Sequence, residues 1–344
     1  MKKKLNVNVV PISKVGATLA AFPVKLFGKL GKSADARLAT LAASPAPKQS
    51  AVLDQNLAFK PFQLGELIGR SLVGLGVVSL ALLSQLILLS GAHYTNSQIK
   101  LFDDFRYQLA NGTAPVGQVD SEGHMIADGT PVALITIKAP GVNLKSVVVE
   151  GTSSSQTMDG PGHKRDSVLP GQKGISVIYG RQAAYGGVFG KIDTLKPGAE
   201  IKITTGQGES TYKVTGIRRV GDKVSNSLGT ATGRLTLVTA AGIPFAPAEA
   251  IRVDADLVGD AKPTPSRVIS VGSIQASNQA MANDMSALVP AIFLAQGLIL
   301  VILIFTWAHR HWGKPQAWIV AGPLFFWLGS LFIENIIRLL PNLI

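Results

Sequence analysis

Three long apolar runs and seven short alternating ones divide this chain. Residues 71–92 (SLVGLGVVSLALLSQLILLSGA) carry no charge and, at about 1.5 Å rise per residue, are long enough to cross a bilayer as a helix. Residues 285–308 (MSALVPAIFLAQGLILVILIFTWA) do the same, with Pro290 near the start. A third run, 315–333, continues through Glu334 and Arg338. The pattern predicts transmembrane helices at 71–92, 285–308 and 315–340. Between the first two runs, apolar and polar positions alternate at 131–137, 145–151, 175–180, 200–205, 210–220, 234–240 and 249–258, each bounded by Gly, Pro or Asp turns, as expected of short β-strands. Seven or eight such strands predict a closed or nearly closed β-barrel. Residues 95–110 predict a helix with Ile99, Phe102, Phe105 and Leu109 on one face, ended by Gly112.

Charge orients these elements. Eleven Lys/Arg and three Asp/Glu precede residue 71, and the HRHWGK turn between the last two runs is also basic. Positive loops stay cytoplasmic. The expected division is a basic cytoplasmic tail (1–70), a first membrane helix (71–92), a stalk (93–129), an extracytoplasmic barrel (130–258), a linker (259–284), a second helix (285–308), a cytoplasmic loop (309–314) and a third helix (315–340). The apolar stretch 15–32 with spaced lysines is either an amphipathic helix on the inner leaflet or an unstructured basic segment. The net charge of +12 is thus a topology signal. No nucleic-acid motif accompanies it, and no cofactor or metal is expected. The chain has no cysteine, so a disulfide, a thiolate nucleophile and a cysteine metal site are excluded.

Several stretches together resemble sortases, particularly the class E type of high-GC Gram-positive bacteria. DGPGHKRDSVLPGQKG (159–174) resembles the family's GPGH…PGQ.GN segment, and IYGRQAAYGGVFGKIDTLKPGAEIKI (178–203) resembles GHRTTYG.PF..L..L.PGD.I.V. RLTLVTA (234–240) is similar to the TLVTC strand, and Arg252 falls where the next strand carries the family arginine. The resemblance implies a mainly-β fold, an eight-stranded sortase-type barrel, flanked here by one membrane helix before it and two after. It also implies a thiol transpeptidase site in which a cysteine attacks a sorting-signal peptide bond, a histidine serves as acid and base, and an arginine holds the oxyanion or substrate.

Carried onto this chain, the cysteine position is Ala240 and the histidine position is Arg181; only Arg252 remains. His163, in GPGH, reads as a turn or surface histidine. Thr239 faces away from Ala240 by strand alternation. The expectation is therefore a catalytically inactive sortase-like membrane protein, not an enzyme, acting as a binding or scaffold subunit of a bacterial cell-envelope complex. The alternatives are a regulator competing with an active sortase for substrates, or an enzyme with altered chemistry in the same groove. Arg181 and Arg252 either converge on a carboxylate or phosphate, or point to solvent and to a local acid such as Glu249 or Asp254. The groove also suits an extended peptide. Glu334 and Arg338, four apart in the third run, either pair with each other or meet a partner subunit in the membrane. The expected partners are the membrane and other membrane or cell-surface proteins.

Overall fold

The computed structural model describes residues 76, 79–81, 83–120, 122–222, 232–312 and 314–344. The expected tail 1–70 and most of the run 71–92 lie outside these residues. Its described end continues through a π-turn, Gln85–Leu89, into helix α1 (Ser90–Asn111). Gly112 closes α1 at φ 66°, the left-handed conformation that glycine adopts at least cost. Phe105 docks α1, packing with Ala114 and Val147. Ile99, expected on the same face, is exposed instead.

Eight strands follow: β1 (Pro131–Ala139), β2 (Val142–Glu150), β3 (Gly162–His163), β4 (Gly174–Tyr179), β5 (Glu200–Thr205), β6 (Gly208–Arg218), β7 (Gly233–Ile243) and β8 (Ala246–Val258), with a short helix α2 (Ser154–Asp159) after β2. They close a barrel in the order β1-β2-β3-β4-β7-β8-β6-β5. The β2–β3 and β4–β7 pairs are parallel and the remaining pairs antiparallel. Seven strands match the alternating runs. The two-residue β3 does not, because it is too short to show a period. It exists because Gly162 lets two backbones approach: a Cβ there would lie 2.2 Å from the Gly151 carbonyl oxygen.

Alternation sorts each strand between two apolar layers. Ile178 of β4, Leu235 and Leu237 of β7 and Val253 of β8 fill the barrel with Ile135, Ile201, Tyr212 and Phe189. Tyr179, Val238, Ala240 and Ala250 face outward, where they form a second cluster with Leu343.

Two helices complete the chain, α3 (Leu288–His311) and α4 (Lys314–Arg338). Met285–His309 and Lys314–Arg338 are long and apolar enough to cross a membrane. Edge contacts of Phe305 with Trp318 (4.9 Å) and Phe325 (5.9 Å) join them. At their base Arg338 Nη2 donates to Asp284 Oδ2 at 2.6 Å, and the Asp284 N–H donates to the Arg338 carbonyl at 3.0 Å. Asp284 and the end of α4 therefore share one end of the hairpin, next to the barrel.

Candidate functional site

The outward faces of β4, β7 and β8, with α2 beside them, border a cleft at one end of the barrel wall that residues 342–344 occupy. Register places Tyr179 beside Val238, Val238 beside Arg252, and Ala240 beside Ala250. The methyls of Ala240 and Ala250 form the floor, and both residues are buried. Gly180 then turns the chain so that Arg181 enters the cleft. A Cβ at Gly180 would stand 2.3 Å from the ring of Phe189, so the backbone there lies directly on the barrel core.

Arg181 is fully buried. Nη2 donates to the Ser154 carbonyl (3.0 Å) and Oγ (2.8 Å), and Nη1 donates to the Ile344 main-chain oxygen (3.2 Å). Its guanidinium lies 5.0 Å from the centre of the Tyr185 ring, a cation–π contact. Burial lowers its pKa to about 10, partly opposed by Tyr185, so it remains a cation at neutral pH. Tyr185 sits in the left-handed region at φ 50°, uncommon for a bulky residue. On its other side His93 contacts it edge-on at 5.3 Å and bonds Asp159 at 3.0 Å. The Asp159 bond raises the pKa of His93 against the opposing effect of burial.

Arg181 and Arg252 do not converge on one anion. Arg181 is held by Ser154, Tyr185 and Ile344. Arg252 is half-buried on the cleft wall near Tyr179, whose pKa burial pushes up to about 12 while Arg252 pulls it the other way. Neither expected acid serves Arg252. Asp254 accepts from Arg218 Nη2 at 2.9 Å and from Thr236 at 2.7 Å, and Glu249 accepts from Arg219 at 2.8 Å. Nor do Glu334 and Arg338 pair with each other: Arg338 bonds Asp284 and Ser286. Thr239 is buried with its Oγ1 unpartnered, and neighbouring Leu237 on the same face belongs to the barrel interior.

His163 is not a surface residue. It is buried, with Nδ1 at 2.8 Å from Glu150 Oε2 and Nε2 at 2.9 Å from the Val168 carbonyl. Ser167 Oγ lies 3.0 Å from Nε2, which gives the outline of a Ser-His-Glu triad. The bonding excludes that role. A carboxylate and a carbonyl only accept, so both ring nitrogens donate and the ring is an imidazolium with no lone pair for the Ser167 proton. Ser167 donates instead to the Lys164 carbonyl at 2.7 Å. Burial pushes the pKa of His163 down, but the Glu150 charge and bond, the Val168 carbonyl and Asp166 outweigh it, and the net shift is upward. This pair ties the 162–169 segment to the end of β2.

The Sortase domain family model matches residues 137–256, which run from β1 to β8. This chain carries a sortase domain. Sortase D of Bacillus subtilis (strain 168) is 30% identical to it over 92 residues, which are 27% of this chain; the chain spans 44% of the length of that relative. Among solved structures, a Clostridium perfringens sortase D5 transpeptidase is 23% identical, covering 49% of this chain and 99% of its own, with a TM-score of 0.39. Sortase E from Streptomyces avermitilis is 27% identical, covering 39% of this chain and 91% of its own, with a TM-score of 0.33. The expectation that the protein is not an enzyme is corrected by this result, because the matched Sortase domain and the sortase D relative point to an enzyme family. That Ala240 and Arg181 stand at the family's cysteine and histidine positions is an expectation of the resemblance and does not establish a loss of activity.

Sequence reasoning missed Ser154, Thr157 and Tyr179 of the sortase domain and His93 of α1. Nothing in their local patterns marks them. Their roles come from contacts with residues distant in the chain, such as Ser154 with Arg181 and Thr157 with Asn342.

Proposed function

We propose that this protein is a membrane-anchored sortase-family protein whose cleft between Arg181, Ala240 and Arg252 holds an extended peptide segment of a cell-envelope partner. The observation that carries the reading is the backbone pairing that this face makes with residues 343 and 344. An apolar floor at Ala240 and Ala250 lies beside main-chain and guanidinium donors at Gln182 and Arg181, which is the chemistry that pairs with an extended backbone. Because the chain has no cysteine, a single cysteine at Ala241 can carry a photoactivatable maleimide. In native membranes it should capture a peptide-bearing partner, whereas the same group at Lys202, on the opposite wall, should not. Equal capture at both positions overturns the reading. Arg252→Lys keeps the charge but loses the planar fork, and should weaken capture about tenfold, since a bidentate charge-assisted contact contributes about 1.5 kcal/mol or more.

Membership of a transpeptidase family supports a second reading, peptide-bond chemistry on the segment held in the same cleft. Its nucleophile would be something other than a thiolate of this chain. Mass spectrometry of a peptide incubated with the protein and an amine acceptor tests it: a transferred or hydrolysed product above the buffer control supports it, and intact peptide removes it.

The barrel side of the hairpin is the extracytoplasmic side in this proposal, supported by the basic HRHWGK turn at the other end. Membrane-impermeant maleimide should label Lys202→Cys and not Trp312→Cys in intact cells. Labelling of position 312 alone reverses the topology.

A further inference from the structure

The cleft is filled by the chain itself. After α4 the chain runs through Leu339 and Leu340 to Pro341, and residues 342–344 lie down in the cleft between β7 and α2. Asn342 and Leu343 are wholly buried and Ile344 nearly so. The contacts address both backbone and side chain. The Asn342 N–H donates to the Ala282 carbonyl at 2.9 Å, and its own carbonyl accepts from Thr157 Oγ1 at 2.9 Å. Its side-chain Nδ2 donates to the Thr152 carbonyl at 2.7 Å and the Gln279 carbonyl at 2.9 Å. The Leu343 carbonyl accepts from the Gln182 N–H at 2.9 Å, and Arg181 donates to the Ile344 oxygen. The Leu343 side chain packs in the cluster of Tyr179, Val238, Ala240 and Ala250.

This is a built peptide site with two reading positions. One holds the NH2 of a primary amide between two carbonyls, while the Asn342 Oδ1 is buried without a partner among the described residues. The next accepts a branched apolar side chain over the Ala240 methyl. The small residue at 240 makes the second position possible, since a bulkier group would occupy the volume that Leu343 fills.

We propose that residues 341–344 are a resident plug of the peptide cleft, and that an Asn-Leu-type segment of a partner protein takes their place when they leave. The inference rests on the peptide-cleft reading above and adds to it the occupant and its control. The plug follows directly on α4, whose last turn is tied through Arg338 to Asp284 and Ser286, just before α3. The position of the hairpin thus sets the position of the plug. A tethered segment competes at an effective concentration on the order of millimolar, so a free segment of equal intrinsic affinity is held off until the plug is released.

The test uses the full-length protein in detergent and a fluorescent peptide of residues 339–344 with a solubilising lysine. Leu343→Asp places a charge on the apolar floor and expels the plug, and should raise peptide affinity at least tenfold over the unmodified chain. The pair Ala240→Cys with Leu343→Cys, oxidised, locks the plug in place. That protein should not bind the peptide, and reduction should restore binding. Should Leu343→Asp fail to fold, the oxidised and reduced forms of the cysteine pair decide alone. Equal binding in the unmodified, expelled and locked proteins overturns the plug. If that binding also maps to position 241 by crosslinking, the peptide-cleft reading stands without it. Binding by none of them overturns both.

Discussion

Replacing Glu150 with alanine should destabilise the folded protein by about 3–5 kcal/mol, the cost of leaving a buried charge without its partner. His163 and Glu150 are both buried, and among the described residues no other carboxylate pairs with the ring, while Glu150 also lies 3.8 Å from Arg165 Nε. Glu150→Gln should cost less, about 1–2 kcal/mol. A Gln amide can donate to Nδ1 of a neutral ring whose Nε2–H still reaches the Val168 carbonyl. Denaturant unfolding in detergent separates the two variants, and equal losses would show that the pair carries no buried charge. The same pair sets a pH dependence. The folded pKa of His163 lies above its ordinary value of 6.5, so the protonated ring's contribution is fully present below pH 6.5 and is lost as pH rises through the raised value. The stability of the unmodified protein should fall over that rise, and Glu150→Gln should flatten the curve. His93, raised by Asp159, contributes with the same sign, so the slope should shrink without vanishing.

Gly180→Ala should cost about 3 kcal/mol. The new methyl would fall 2.3, 2.5 and 2.8 Å from three ring atoms of Phe189, a fully buried side chain of the barrel core with no room to retreat. The strain should also move Arg181, the next residue, and weaken its hold on Ser154 and Ile344. Phe189→Leu alone leaves a cavity and destabilises. Combined with Gly180→Ala it removes the atoms that clash, so the double variant should be more stable than the sum of the singles by at least about 1 kcal/mol. Additive losses would place the cost of Gly180→Ala elsewhere than at the ring.

Much of the barrel was legible along the chain. Strand signals are local: β-branched residues alternate with polar ones between glycine and proline turns, and each half-buried strand shows that period whatever its neighbours are. β1 and β5 were read with errors of at most two residues at either end, and β7 and β8 with errors of up to three. The two helices after the barrel were visible for the same reason. β3 and α2 were not legible. Two residues and six residues hold too little pattern, and both are held by backbone contacts with β2 and Arg181.

The environment of the cleft residues was decided only by tertiary structure. A lone Arg in GRQ reads the same whether it faces water or lies buried against Ser154 and Tyr185. His163 in a glycine- and proline-rich stretch reads as a surface turn until Glu150, thirteen residues earlier, is brought to 2.8 Å. The last residues, PNLI, have no period and no motif. Their place over Ala240 depends on where α4 ends and on carbonyls from Thr152 and Gln279 that meet only in the fold. Periodicity records which side of an element is buried. It does not record which distant segment covers that side, because that choice is made by shape and hydrogen-bond complementarity between segments the chain keeps far apart.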